Sequence, residues 1–575
     1  MKKKLVSILL VLGMLPAFSA CRLKSRETST RRTRETTKAT TTEETTEETT
    51  DEPTERTTAS ATSSSETSES TTQNQTIPAV TPCATVNADF KAPDPNCPIE
   101  YRSEDERYHY TMELQLDPDK RTVGGHVVCE FYNNSEDDWD KLCLRDYSSL
   151  FIDSKTAGYD TALDTNGALT EITNIKDGRD DSDLSFERDS DVSVVWMPLS
   201  KKLAPKEKMT LSYDFVATIP TVADRYGITE KVYNITNFYP ILAVYTKDGW
   251  SHERFYDCGE CFFSEVSDYD VTLTVPKDYT VLSTGTSKSE EEKDGNKVIT
   301  FDAPCVRDFV FCASPDFKMF EGYYKNTKIR VVYDQAHPST QYMDEVSEAC
   351  IEAGIDSLAA FGAAFGEYPY PELDIVLATI AAGGMEYPNL IICTDMNYYC
   401  MPIADRDRVS DKYVMMSTVV AHEIGHQWFM GIVGSNSGME PWLDESFASY
   451  TELVYGQYIG YDSGYSRRYM NLVDMADDMK REGSAPINRP YYDFSSDDPY
   501  INAAYFYGQV CLYQMQEIIG QEAMYGVIRE YVHRNAFHNA TAKDFFDVLY
   551  ECCGKDNKDL NDLIAVVFDM DRVYN

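Results

Sequence analysis

The hydrophobic pattern changes period part-way along the chain, and that change limits the folds open to it. From about Tyr101 to Phe320 apolar and polar residues alternate in short runs. Two examples are Tyr108-His109-Tyr110-Thr111-Met112-Glu113-Leu114-Gln115-Leu116 and Tyr269-Asp270-Val271-Thr272-Leu273-Thr274-Val275, the second ending at Pro276. Period-two alternation buries one face of a strand, so this part predicts an all-β domain of antiparallel strands, spanning 83–322. After about Ile329 the pattern reads as a strand at 328–333, a helix at 339–365, strands at 372–380 and 390–393, and mostly helix from 410 onward. A small sheet followed by helices predicts an α+β multidomain protein whose second domain is 323–575. No fixed-period repeat is present, which removes solenoid architectures.

The N-terminus reads differently. Lys2, Lys3 and Lys4 precede an apolar run over 5–15, and the stretch closes on Phe18-Ser19-Ala20-Cys21. This is a charged segment, a hydrophobic segment too short to span a bilayer, and a small-residue cleavage site. With a cysteine directly after the small pair, it resembles a bacterial lipoprotein signal. The resemblance implies removal of 1–20, lipidation of Cys21 and an extracytoplasmic protein anchored to the cell membrane. Residues 21–82 are mostly Thr, Ser and Glu, too polar to offset chain entropy by burial, and predict a disordered tether. Its first part is basic and its later part acidic, a charge order that suits a membrane-proximal collar and an extended spacer.

The whole chain carries 95 acidic against 53 basic side chains, a formal charge of -42. Such an excess repels phosphate backbones, so nucleic acid is excluded as a partner. Fifteen cysteines are too few for a small disulfide scaffold and show no zinc-ribbon spacing. Cys83 with Cys97, Cys258 with Cys261 and Cys305 with Cys312 are close enough in sequence to bridge, and their pairing stays open.

Of only eight histidines, two fall in His422-Glu423-Ile424-Gly425-His426. On a helix, positions i and i+4 share a face, so both imidazoles reach one ion while Glu423 projects toward a water. The preceding run over 414–421 contains no Gly or Pro and predicts a buried helix, with Ser410 or Asp411 as its cap. A catalytic zinc takes three protein ligands and keeps one position open. The segment Glu440-Pro441-Trp442-Leu443-Asp444-Glu445 supplies the third, Glu445, nineteen residues after His426, at the start of a predicted second helix. Glu452, two turns further along, is placed to accept a hydrogen bond from a ligand histidine.

These motifs resemble the gluzincin zinc aminopeptidases, the family of aminopeptidase N and leukotriene hydrolase, whose signature is HExxH, eighteen residues, then Glu. The family's Gly-x-Met-Glu-Asn segment corresponds to Gly383-Gly384-Met385-Glu386-Tyr387, with Tyr387 in place of Asn. Its tyrosine in a Tyr-x-Lys-Gly context corresponds to Tyr505, with Tyr507 in place of Lys. The resemblance implies a thermolysin-like catalytic domain and one Zn2+ per chain on His422, His426 and Glu445, with Glu423 as general base. It further implies Tyr505 as oxyanion donor and an edge strand in which Gly383, Gly384 and Met385 bind the peptide and Glu386 grips its free α-amine. A glutamine that the family's β domain adds to the amine site is missing from Thr236-Asn237-Phe238-Tyr239-Pro240. The large C-terminal helical domain of many relatives is expected to be absent. The function so implied is removal of N-terminal residues from peptides; an endopeptidase on the same core and a non-catalytic surface-binding lipoprotein are the alternatives.

Overall fold

The fold is that of a computed structural model, described over residues 87–574 except 88, 160–162, 166, 257, 258, 260, 337–341, 405 and 461. The signal segment, Cys21, the tether, Cys83 and Cys258 lie outside the described residues. The first domain is built around an eight-stranded sheet with two four-stranded sheets beside it. Strand Tyr108–Asp117 shows why the alternation was informative: Tyr110, Met112, Leu114 and Leu116 point into the core and the residues between them face outward. Most pairings are antiparallel, as with Thr122–Tyr132. The exception is central: Tyr108–Asp117 pairs parallel with Ser267–Pro276, a strand far away in sequence. Cys305 and Cys312 are both buried and are not bonded to each other.

The second sheet is mixed and five-stranded, in the order Phe317–Tyr324, Thr327–Asp334, Glu372–Ala378, Leu390–Thr394 and Gly384–Met385. Its first strand begins at Phe317 and pairs along its whole length with the next. The sheet therefore starts upstream of the expected boundary at 323. Gly384–Met385 is a two-residue antiparallel edge strand that pairs Gly384 with Cys393 and Met385 with Ile392. Helix Met343–Phe365 presents a nearly continuous buried face made of Val346, Ala349, Cys350, Ala353, Leu358 and Phe361.

Helices then dominate. Val414–Gly425 is buried from Met416 onward, as the Gly- and Pro-free run predicts. Its cap is not Ser410 or Asp411. Both fall in a short helix of their own, Val409–Lys412, because Glu352 accepts the Ser410 backbone N–H and holds that turn against the preceding helix. The next long helix, Trp442–Tyr458, starts after Pro441, and Trp442 is locked by ring contacts with Phe447, Phe545, Phe546 and Phe568. The two helices approach closely at Gly425, where a Cβ would lie 2.2 Å from Thr451 Oγ1. Only glycine permits that approach, which brings Glu445 over the two histidines. Among the described residues, no helix is long and apolar enough to cross a membrane.

The two domains are tied by Arg307. Its guanidinium donates to the carbonyls of Gly431, Ser264 and His538 and to Asn539 Oδ1, so a residue of the β domain fixes the loop that follows the paired histidines.

Candidate active site

His422 and His426 lie one turn apart at the end of their helix, both buried. Their Nδ1 atoms face carboxylates: His422 Nδ1 is 3.0 Å from Glu452 Oε1, and His426 Nδ1 is 2.6 Å from Asp444 Oδ1. Ser437 Oγ donates to the other oxygen of Asp444 at 2.7 Å. These contacts fix each ring with Nδ1–H as donor and turn both Nε2 atoms inward. The two Nε2 atoms are 3.2 Å apart, and Glu445 Oε2 lies 3.4 Å from one and 3.5 Å from the other. Glu445 Oε2 is buried and takes no hydrogen bond.

This arrangement tests whether a metal belongs there. Two neutral rings would set two lone pairs against each other, two protonated rings would oppose two N–H groups, and a single shared proton would leave Glu445 Oε2 without a partner. A cation between them relieves these conflicts. Ligands at about 2.0–2.1 Å from a tetrahedral zinc are separated by about 3.3–3.4 Å, and the three separations match that spacing. Two imidazole nitrogens and one carboxylate oxygen form a catalytic donor set, and the residues fit zinc.

The electrostatics agree. Burial alone would pull the His422 imidazolium down, but the neighbouring carboxylates of Glu445 and Glu452 outweigh it and hold the group up at about 9. Burial pushes His426 the same way, and the negative charges of Glu386, Asp444 and Glu445 raise it well above the ordinary imidazole range. Glu445 is the counterpart: burial would raise it, yet His426 and His422 hold it at about 2. Asp444 and Glu445 also sit in the first turn of their helix, where the dipole favours negative charge.

The remaining residues surround this centre. Glu423 packs against the edge strand: a Cβ on Gly384 would fall 2.2 Å from Glu423 Oε1, so a side chain at 384 would displace it. Tyr505 sits on a π-helical turn, Asn502–Tyr507, inserted between two α-helical segments. Such turns re-aim side chains, and here Tyr505 donates to Glu445 Oε1 at 2.6 Å with its ring parallel to His422. Glu386 is buried. One of its carboxylate oxygens, an His426 nitrogen and an Asp444 oxygen all lie within 4.8 Å of one another. A cleft lined by Glu386, Met385, Tyr147, Phe262, Asn237 and Asp308 opens beside it. Tyr387 carries its hydroxyl to Thr236 Oγ1 and Asn237 Oδ1, at 2.8 and 2.7 Å, so the strip without a glutamine still meets the amine segment.

Sequence reasoning missed two contributors. Asp444 adjoins Glu445, and an acid in a helix's first turn just before a metal-binding glutamate was the available signal. Gln427 follows His426 directly and is buried, yet a single amide offers no pattern in sequence.

Residues 351–567 match the peptidase family M1 domain. That stretch contains the anchor segment, the paired histidines, Glu445 and Tyr505, the residues whose motifs resemble the gluzincin aminopeptidases. The chain is 26% identical over 305 residues to aminopeptidase M1-C of Oryza sativa, covering 51% of this chain and 33% of the relative. Glutamyl aminopeptidase of Mus musculus is 26% identical over 307 residues, which cover 52% of this chain and 31% of that protein. The chain thus spans about a third of the length of these curated relatives. The M1 zinc metallopeptidase from Deinococcus radiodurans has the same fold, with a TM-score of 0.53, 17% identity, and coverage of 83% of this chain and 96% of that one.

Because the carboxylates favour protonated imidazoles, zinc must displace protons to bind. Zinc affinity measured by chelator competition is expected to rise at least about tenfold per pH unit between pH 6.5 and 8.5, below the His422 value of about 9. A flat profile contradicts this assignment. Asp444→Asn removes the acceptor that orients His426 and should weaken zinc binding about 10–100-fold, read in the same competition; unchanged affinity would show that Asp444 plays no part.

Proposed function

We propose that this chain is a zinc-dependent aminopeptidase, held at the outer face of a bacterial membrane by a lipid on Cys21, that removes single residues from the free N-termini of peptides. The observation that carries the reading is the position of Glu386, whose carboxylate comes within 4.8 Å of an His426 nitrogen. An exopeptidase must hold an ammonium group one residue from the bond it cuts, and a fixed carboxylate beside the metal ligands does so through a charge-assisted hydrogen bond. Two kinds of relative support the substrate class: the aminopeptidases named above, and the Deinococcus radiodurans metallopeptidase solved with a Tyr-Ser-Ala substrate.

When bound, zinc polarises the scissile carbonyl and makes water a nucleophile near neutral pH. The chain's own residues do the rest. His422, His426 and Glu445 would hold the zinc as three protein ligands, which leaves a fourth position for water. Glu423, wedged against Gly384, takes a proton from the attacking water and returns it to the leaving amine. The Tyr505 hydroxyl, which donates to Glu445 at rest, turns to the oxyanion that forms on the substrate. Gly384 and Met385 offer backbone groups at a sheet edge on which an extended peptide can pair, which places its first residue over Glu386. The cleft beside Glu386 is walled by Tyr147, Phe262 and Met385 and receives the first side chain.

Glu423→Gln should lower kcat on an aminoacyl anilide by about 10²–10⁴ while one zinc per chain remains; activity near that of the wild type in a zinc-loaded variant would remove Glu423 from the reaction. Acetylating the N-terminus of a peptide substrate should stop its cleavage, whereas an endopeptidase on the same core would cut both forms alike. Cys21→Ser should shift the protein from the membrane to the soluble fraction of cells; a membrane-bound variant would contradict the lipid anchor.

A further inference from the structure

The edge strand pairs with its neighbour through Gly384 and Met385, with one more bond from the Thr394 N–H to the Gly383 carbonyl before them. Glu386 lies one residue beyond the last paired position, and no sheet ladder sets its distance from the metal ligands. Something else must, because the spacing between a substrate's α-amine and its scissile carbonyl is fixed by covalent bonds. An anchor displaced by about 1 Å would carry the carbonyl out of line and could cost about a hundredfold in rate.

The residue in place to do this is Gln427. It follows His426, its side chain is buried, and all its amide contacts go to the anchor segment. Gln427 Oε1 accepts the Asn389 backbone N–H at 3.0 Å. Gln427 Nε2 donates to the Tyr387 carbonyl at 3.1 Å and reaches the Glu386 carbonyl at 3.5 Å. The Gln427 backbone is itself fixed, donating to Ile424 and accepting from Ile432 in the turn that closes the histidine helix. Segment 386–389 is thereby joined to a metal-binding histidine through one side chain and one peptide unit. A side-chain amide suits the task because it presents a donor and an acceptor on one rigid plane. The β domain and the sheet hold the same segment at other points, through the Tyr387 hydroxyl, through Asn389 Oδ1, which accepts the Gly285 N–H, and through the Asn389 carbonyl, which accepts the Asp374 N–H; none of these bonds reaches the histidine helix.

We propose that Gln427 is a positioning residue that sets the spacing between the amine anchor Glu386 and the metal centre, and so fixes the register at which one residue is removed. The inference rests on the aminopeptidase reading and deepens it. Gln427 touches neither the substrate nor the metal, and it acts through Glu386.

The test compares two reporters that differ only in that spacing, an L-alanyl anilide and a β-alanyl anilide, whose amine stands one methylene further from the carbonyl. The variant is Gln427→Met, similar in size but unable to make the three contacts, with zinc content and unfolding midpoint measured beside activity. Zinc should remain at one per chain, and kcat/KM for the α-reporter should fall much more than for the β-reporter, shrinking their ratio at least about tenfold. Equal losses on both reporters, or no loss on either, would overturn the positioning role and leave the aminopeptidase reading intact. A wild-type protein that cleaves neither reporter nor any aminoacyl anilide would instead sink the reading and the inference with it. Should Gln427→Met not fold, Gln427→Glu keeps the acceptor for Asn389 and lacks the donor to both carbonyls, and the same ratio decides.

Discussion

Two imidazole nitrogens held 3.2 Å apart, each forced inward by a carboxylate behind its ring, are the constraint on which the site depends. Like protonation states set the two nitrogens against each other, a single shared proton leaves Glu445 unserved, and that buried Glu445 oxygen, without a hydrogen bond, closes the third side. A cation satisfies all three groups at once. The cost of the arrangement is carried by the rest of the fold: a glycine at 425 that lets two helices touch, an aromatic cluster that pins Trp442 at the start of the second helix, and a β-domain arginine that clamps the following loop.

From that centre the function follows by distance. Glu423, beside the paired histidines, packs on Gly384 of the sheet edge, which brings that edge close to the centre. The buried Glu386 comes near His426, and the Glu423 carboxylate is pressed against Gly384, the placement on which the proposed preference for chain ends rests. Charges near the metal are graded. Acids behind the histidines raise their basicity, while the π-helical turn brings the Tyr505 hydroxyl onto Glu445.

What could be read in advance was what is local. Period-two alternation announced strands such as Tyr108–Asp117, because each strand buries one face. The i, i+4 histidines announced a shared face, because helical periodicity needs no knowledge of the rest of the chain. Glu445 and Glu452 could be assigned once a second helix was inferred from the Pro-Trp turn. Long-range choices were not legible. The parallel pairing of Tyr108–Asp117 with Ser267–Pro276 joins distant segments whose register no local pattern encodes. Gln427 and Asp444 matter through what tertiary packing sets against them. The expected cap at Ser410 or Asp411 failed for the same reason, since Glu352 from another helix took the Ser410 N–H and began a separate turn.

The central claim is a single zinc ion seated on His422, His426 and Glu445. X-ray diffraction from crystals of the purified protein, recorded on both sides of the zinc absorption edge, tests it most directly. The account predicts one anomalous peak per chain, about 2.0–2.2 Å from two imidazole nitrogens and a carboxylate oxygen of those residues. A peak held by cysteine sulfur elsewhere, or no peak between the two histidines in protein prepared with zinc present, would contradict it.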